Sequence, residues 1–158
     1  MPTQKEELRL NTQQDMSSED MYVLKELFTE YVSLYRLELN SGKYEILRLI
    51  ANTNAKQIVG EEYRIFADYD EFTRRYAETF IPETEQEEFL DWHKCENLKK
   101  RLQEKERLTY YYHSVSKDGK DSYYEAYAVK GKTDGKNFYI FLGYRNVDGI
   151  CLLYTSPS

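Results

Sequence analysis

Three aromatic-rich runs near the C-terminal end, at 108–115, 123–130 and 138–145, are parted by Lys117-Asp118-Gly119-Lys120 and Thr133-Asp134-Gly135-Lys136. Runs of this length with alternating side chains, joined by short loops that each carry Asp-Gly, fold as an antiparallel meander, because Asp-Gly is the dipeptide best suited to a tight reversal between strands. Alternation places Tyr124, Ala126 and Ala128 on one face of the middle run, and Ile140, Leu142 and Tyr144 together on the last. Many of the side chains are tyrosines, 16 in the whole chain. Their rings bury area while their hydroxyls require a polar partner.

The rest of the chain must cover this sheet. Two more strand-like runs, 32–39 and 44–50, are joined by the compact turn Asn40-Ser41-Gly42-Lys43. Residues 51–68 read as a loop with short helical pieces. Beyond them Tyr69, Phe72, Tyr76 and Phe80 recur at helical spacing and line one face of a helix. Pro82 stands at the next helix start, and Glu83, Glu85, Glu87 and Glu88 crowd the first turns, where negative charge meets the positive end of the helix dipole. Cys95, Leu98 and Leu102 continue the apolar spacing, with Lys99, Lys100, Arg101 and Lys105 gathered toward the end. The expected fold is therefore α+β in the order ββ-ααα-βββ, a five-stranded antiparallel sheet with helices on one face.

Outside this unit, Ser17-Ser18-Glu19-Asp20 precedes Met21, Leu24, Leu27 and Phe28 on one helical face, which predicts an N-terminal helix over 17–29. Residues 1–16 are polar and aperiodic, a flexible lead-in. Residues 150–158 form a tail with no charge, and Cys151-Leu152-Leu153-Tyr154-Thr155-Ser156-Pro157-Ser158 resembles the translated end of a sequencing-library adapter. The tail is expected to be non-native, on a gene truncated after Gly149. The domain proper then spans 30–149, one core for a chain of 158 residues.

Charge and composition narrow the partners. With 28 acidic against 22 basic residues and a net charge of -6, no basic stripe is present to meet phosphates, which argues against nucleic acid. No stretch approaches the roughly 18 apolar residues of a membrane span, and no apolar signal region opens the chain. A cytoplasmic setting is expected, and the 2 cysteines supply neither a disulfide framework nor zinc spacing.

Four segments carry a family resemblance: Tyr35-Arg36-Leu37-Glu38-Leu39-Asn40-Ser41-Gly42-Lys43-Tyr44, Ile81-Pro82-Glu83 through Phe89-Leu90, Tyr123-Tyr124-Glu125-Ala126-Tyr127-Ala128-Val129, and Phe141-Leu142-Gly143-Tyr144-Arg145-Asn146-Val147-Asp148. In this order they resemble a PAS-type sensory domain, of the branch found ahead of bacterial diguanylate cyclase (GGDEF) and histidine kinase modules. The resemblance implies a PAS-like fold and a sensory input domain of a bacterial signal-transduction protein, governing an output module beyond Gly149 through Arg145, Asn146, Val147 and Asp148. Two positions depart from the family. Ile81-Pro82-Glu83-Thr84 stands where His-Pro-Glu-Asp is common, and Asn146 where an aspartate usually ends the last strand.

Catalysis finds no support, since neither His93 nor His113 has a nucleophile or acid at a productive spacing. His93 and Cys95 lie two apart and point to different sides of a helix, which predicts a surface histidine and a core cysteine. The resemblance also makes His93 a candidate axial ligand for haem. The four glutamates read as a solvated helix start, without metal-ligand spacing. Helices crossing a curved sheet leave room for a small-molecule ligand, with Phe72, Tyr76, Tyr124, Ala126, Ala128, Ile140, Leu142 and Tyr144 as candidate lining; ordinary core packing explains the same pattern. A ligand-free alternative is a homodimerisation module using Met21, Leu24 and Phe28, with Tyr123 and Tyr127 exposed.

Overall fold

The computed structural model describes residues 29–50, 53–59 and 68–149. The lead-in, nearly all of the expected N-terminal helix, the dimer candidates Met21, Leu24 and Phe28, and the tail lie outside the described residues. Within them the fold is α+β. Strands β1 (Ser33–Glu38) and β2 (Tyr44–Leu49) form a hairpin, and four helices follow: α1 (Asn54–Val59), α2 (Tyr69–Phe80), α3 (Glu83–His93) and α4 (Cys95–Glu104). The meander β3 (Arg107–Val115), β4 (Asp121–Thr133) and β5 (Phe138–Asn146) completes the order. All five strands join one antiparallel sheet in the order β2-β1-β5-β4-β3. The strands fall where alternation and turn residues put them, and α1 is the short helical piece expected within 51–68.

The order makes β5 the central strand and buries every residue of β1. One face of the sheet carries Tyr35, Leu37, Tyr112, Ala126, Ala128, Ile140, Leu142 and Tyr144, all buried in the main core with the helices. α2 contributes Tyr69, Phe72, Thr73, Tyr76, Ala77 and Phe80, a stripe at i, i+3, i+4, i+7, i+8 and i+11. Its N-cap Asp68 accepts a hydrogen bond from the Glu71 N–H at 2.7 Å. The apolar spacing through 82–105 divides at Lys94, whose extended backbone (φ -58°, ψ 129°) ends α3 and starts α4. α4 then buries Cys95, Leu98 and Leu102 as expected.

The opposite face is more polar yet also covered. Arg36 is buried beside Glu45 at 3.4 Å and lies over the Tyr139 ring at 3.9 Å. The Glu38 carboxylate accepts from the N–H groups of Asn40, Ser41 and Phe138, so one side chain ties the first turn to the start of β5. These donors hold the carboxyl below its ordinary range against the opposing effect of its own burial. Tyr127, expected exposed, is half-buried against Tyr31 and Leu34, whereas Tyr123 is exposed.

Gly42 joins the hairpin to the helices. Its φ of +77° is open to glycine and strained for other residues, its N–H bonds the Glu38 carbonyl, and its carbonyl accepts the Tyr69 N–H at the start of α2. A Cβ added there would stand 2.9 Å from the Asp68 Cβ. Gly42→Ala is therefore expected to lower stability by about 2 kcal/mol, from left-handed strain and displacement of the α2 cap. Urea denaturation measures the loss, and an unchanged midpoint would show that the turn relaxes freely.

Candidate functional site

A recess lies between α1, α2, α3 and the sheet. Counted out to where it opens to solvent, its volume is about 400 Å³. Phe72 and Tyr76 of α2, Tyr124 of β4 and Tyr144 of β5 line it. These are four of the expected lining residues. Ala126, Ala128, Ile140 and Leu142 are buried in the core but do not reach it. The strand pairing accounts for the alanines: Ala126 sits between Tyr110 and Tyr144, and Ala128 between Leu108 and Leu142, so larger neighbours close over both. Tyr35, Tyr69, Phe89 and Tyr112 also line the recess. Tyr69 was legible as part of the α2 stripe, while nothing in the β1 run set Tyr35 apart from ordinary core.

Two hydrogen-bond networks build the walls. In the first, His93 Nδ1 lies 2.8 Å from the Phe89 carbonyl, His93 Nε2 lies 3.0 Å from the Tyr144 hydroxyl, and that hydroxyl lies 2.7 Å from the Tyr69 hydroxyl. Burial pushes the His93 pKa from 6.5 down to about 4, so the ring is neutral at physiological pH. A carbonyl only accepts, so the proton resides on Nδ1 and Nε2 accepts from Tyr144. Tyr144 in turn accepts from Tyr69, which fixes the direction of the whole chain. The His93 and Tyr144 rings stack at 5.9 Å and 6°. In the second network Asn54 Nδ2 donates to Ser114 Oγ at 2.9 Å, the Tyr76 hydroxyl meets the same oxygen at 2.9 Å, and Ser114 donates to the Phe80 carbonyl.

His93 is thus not the surface residue its helical phase suggests. The break at Lys94 ends α3 on the core side, and the ring is fully buried. Nor does it suit an axial haem ligand, because both ring nitrogens are engaged and its side chain does not line the recess. Cys95 is a core cysteine as expected, its thiol pushed up by burial and by Asp70.

The expected output residues are anchored at the end of β5. Arg145 makes a two-point contact with Glu125, Nε to Oε1 at 2.9 Å and Nη2 to Oε2 at 3.2 Å, and also reaches Glu30 at 3.5 Å ahead of β1. Asn146 both donates to Asp148 Oδ2 and accepts from the Asp148 N–H. Val147 is buried, and its N–H bonds the Tyr123 carbonyl at 2.9 Å, while Asp148 Oδ1 accepts the Tyr123 N–H at 2.6 Å.

Next to this anchor stands His113, with Nδ1 3.1 Å from Glu85 and Nε2 2.9 Å from Asp121, its ring stacked on Tyr123 at 5.3 Å. Glu85 therefore leaves the solvated set of four glutamates and joins α3 to the sheet edge. Only the imidazolium has two N–H donors for two carboxylates, and Asp121 foremost raises the His113 pKa, with burial opposing and Glu85 adding to the rise.

No protein-family profile matches the sequence, and no curated protein does. Among solved structures, the chain is similar to the PAS domain of a protein from Colwellia psychrerythraea, at 9% identity and a TM-score of 0.43 over 80% of this chain and 98% of that one. It is also similar to a PAS domain from a two-component sensor histidine kinase, at 11% identity and a TM-score of 0.41 over 83% of this chain and 99% of that one.

The 2 histidines report on the site separately. For His93 the folded pKa lies below the unfolded one, so its contribution is complete above 6.5 and is lost as pH falls toward about 4. That loss is about 3 kcal/mol. For His113 the sign is opposite: its raised pKa stabilises below the unfolded value, and the gain is lost as pH rises through the folded one. Imidazole resonances followed from about pH 3 to pH 9 should show one midpoint above the ordinary histidine value and one well below, with the higher absent in His113→Gln. Two coincident midpoints near the ordinary value would contradict both environments.

Proposed function

We propose that this domain is a PAS-type sensory input module: occupancy of the recess shifts the packing of helices against the sheet, and the end of β5 hands that shift to an output module beyond Gly149. The observation that carries this reading is the position of Tyr144. Its side chain is a wall of the recess and the middle member of the Tyr69–Tyr144–His93 chain, while the next four residues, Arg145 to Asp148, are the anchors at the domain's exit. A change at the wall therefore has only a few residues of centrally paired backbone to travel. A ligand acts only if it binds the two packings unequally. The four segments of PAS resemblance fall on β1–β2, α3, β4 and β5, the elements that surround the recess and lead out of it.

The output module is a diguanylate cyclase in the first instance and a histidine kinase in the second, in a bacterial cytoplasm, following the branch that the sequence resembles. The domain itself is read as non-catalytic. In support, burial raises the hydroxyls of Tyr35, Tyr69, Tyr76, Tyr112 and Tyr144 and the thiol of Cys95 away from any nucleophilic range. No helix among the described residues is long and apolar enough to cross a membrane.

The test is the reading frame past the codon for Gly149, amplified from the source and sequenced. An in-frame cyclase or kinase module is the expected result. A stop codon directly after Ser158 would sink the input-module reading in favour of a stand-alone protein.

A further inference from the structure

The polar groups of the recess are unequally satisfied. Tyr69, Tyr76, Tyr144, Asn54 and Ser114 each close a hydrogen bond within one of the two networks. Tyr35 does not. Its hydroxyl is fully buried and no group stands in hydrogen-bond geometry to it; burial raises its pKa, and the Ser33 hydroxyl beside it acts in the opposite direction. Leaving a buried hydroxyl unpaired costs about 1–3 kcal/mol, which phenylalanine at the same position would avoid. The ring itself is firmly placed, with Tyr44, Tyr69, Phe72 and Tyr144 all packed around it at centroid distances of 5.6 to 6.3 Å. The oxygen therefore cannot swing out to water.

The second observation is the charge of the lining. Among the described residues that form the recess, none is acidic, basic or a histidine. An ion entering would exchange its hydration for aromatic rings and already paired hydroxyls, at a cost of several kcal/mol. The third is the way in. The lining residues that keep partial exposure are Val32, Thr53, Ala55 and Tyr124, so the recess opens past the start of β1 and α1. Beyond them buried rings enclose the recess, Tyr35 among them, so a ligand that reaches the Tyr35 hydroxyl has its body extending back toward this mouth.

We propose that the recess takes a small uncharged molecule with an apolar body and one hydrogen-bonding oxygen, a carbonyl or hydroxyl, which accepts the Tyr35 hydroxyl proton at the enclosed end. This rests on the reading of the recess as a ligand site and adds the ligand's chemical class. Carboxylates, phosphates and ammonium compounds are disfavoured by a lining that is uncharged among the described residues, and pure hydrocarbons leave Tyr35 unsatisfied.

Acetone and acetate test it, because they share a shape and differ in charge. Titrated separately into the full chain and followed by amide NMR, acetone should shift Ser33, Tyr35 and Tyr144 saturably, and acetate should not. In Tyr35→Phe the acetone affinity should fall about tenfold, or 1.4 kcal/mol, with the rest of the spectrum retained. Saturable binding of acetate at the same resonances would overturn the uncharged class while leaving the ligand site standing. No saturable shift from either probe would remove both. Acetone binding equally well to Tyr35→Phe would overturn the role of Tyr35. If that variant fails to fold, the contrast between the two probes on the unaltered chain still decides the class.

Discussion

The contact on which the rest of the structure depends is the hydrogen-bonded chain from Tyr69 through Tyr144 to His93. It joins the first residue of α2, the central strand and the last residue of α3 through two hydroxyls and one imidazole. Its direction is fixed from one end: the Phe89 carbonyl accepts only, so each member upstream has one available role. Burial keeps the imidazole neutral, and a neutral imidazole is what permits Tyr144 to donate to it. Protonating His93 would set a donor against a donor and leave a charge in the core, so sequence, electrostatics and helix placement depend on the same proton.

Around that chain the two faces of the sheet solve burial differently. The helix side is aromatic; the hydroxyls of Tyr69, Tyr76 and Tyr144 are paired with one another, with Ser114 or with His93, and that of Tyr35 is not. The other side buries charge, and does so in pairs: Arg36 with Glu45, Arg145 with Glu125, and Glu38 with three backbone donors. Buried pairs of this kind add little net stability, but removing one partner is costly. Their value here is positional. Arg145 lies where the approach to β1 and the end of β5 come together, and Glu38 where the first turn meets β5. The central strand is thus held at its start by the Glu38 carboxylate and near its end by Arg145 and the relay together.

Much of this was legible in the sequence. The Asp-Gly turns, the period-two runs and the Tyr69–Phe72–Tyr76–Phe80 stripe give five strands and the main helix, because local backbone chemistry and burial agree there. Part of the recess was legible too, in Phe72, Tyr76, Tyr124 and Tyr144. His93 was not, because Lys94 breaks the helix without glycine or proline to signal it, and a helical phase carried through the break puts the ring on the wrong side. Tyr35 was hidden for another reason. Tyr35, Leu37 and Leu39 alternate with Arg36 and Glu38, a pattern that marks one face of β1 without telling a pocket-lining residue from ordinary core. Glu85 and His113 are 28 residues apart and meet only once α3 lies across the sheet edge.

The central claim is that the wall of the recess and the exit of the domain are mechanically one element. Amide hydrogen exchange on Tyr144→Phe tests it most directly, since the substitution removes the relay's middle hydroxyl and leaves the ring. The account predicts faster exchange not only in α2 and α3 but also at the Val147 and Tyr123 amides, whose bonds fasten the end of β5. Faster exchange confined to the helices, with Val147 and Tyr123 protected as before, would show that the relay holds the helices without reaching the exit, and would contradict the account.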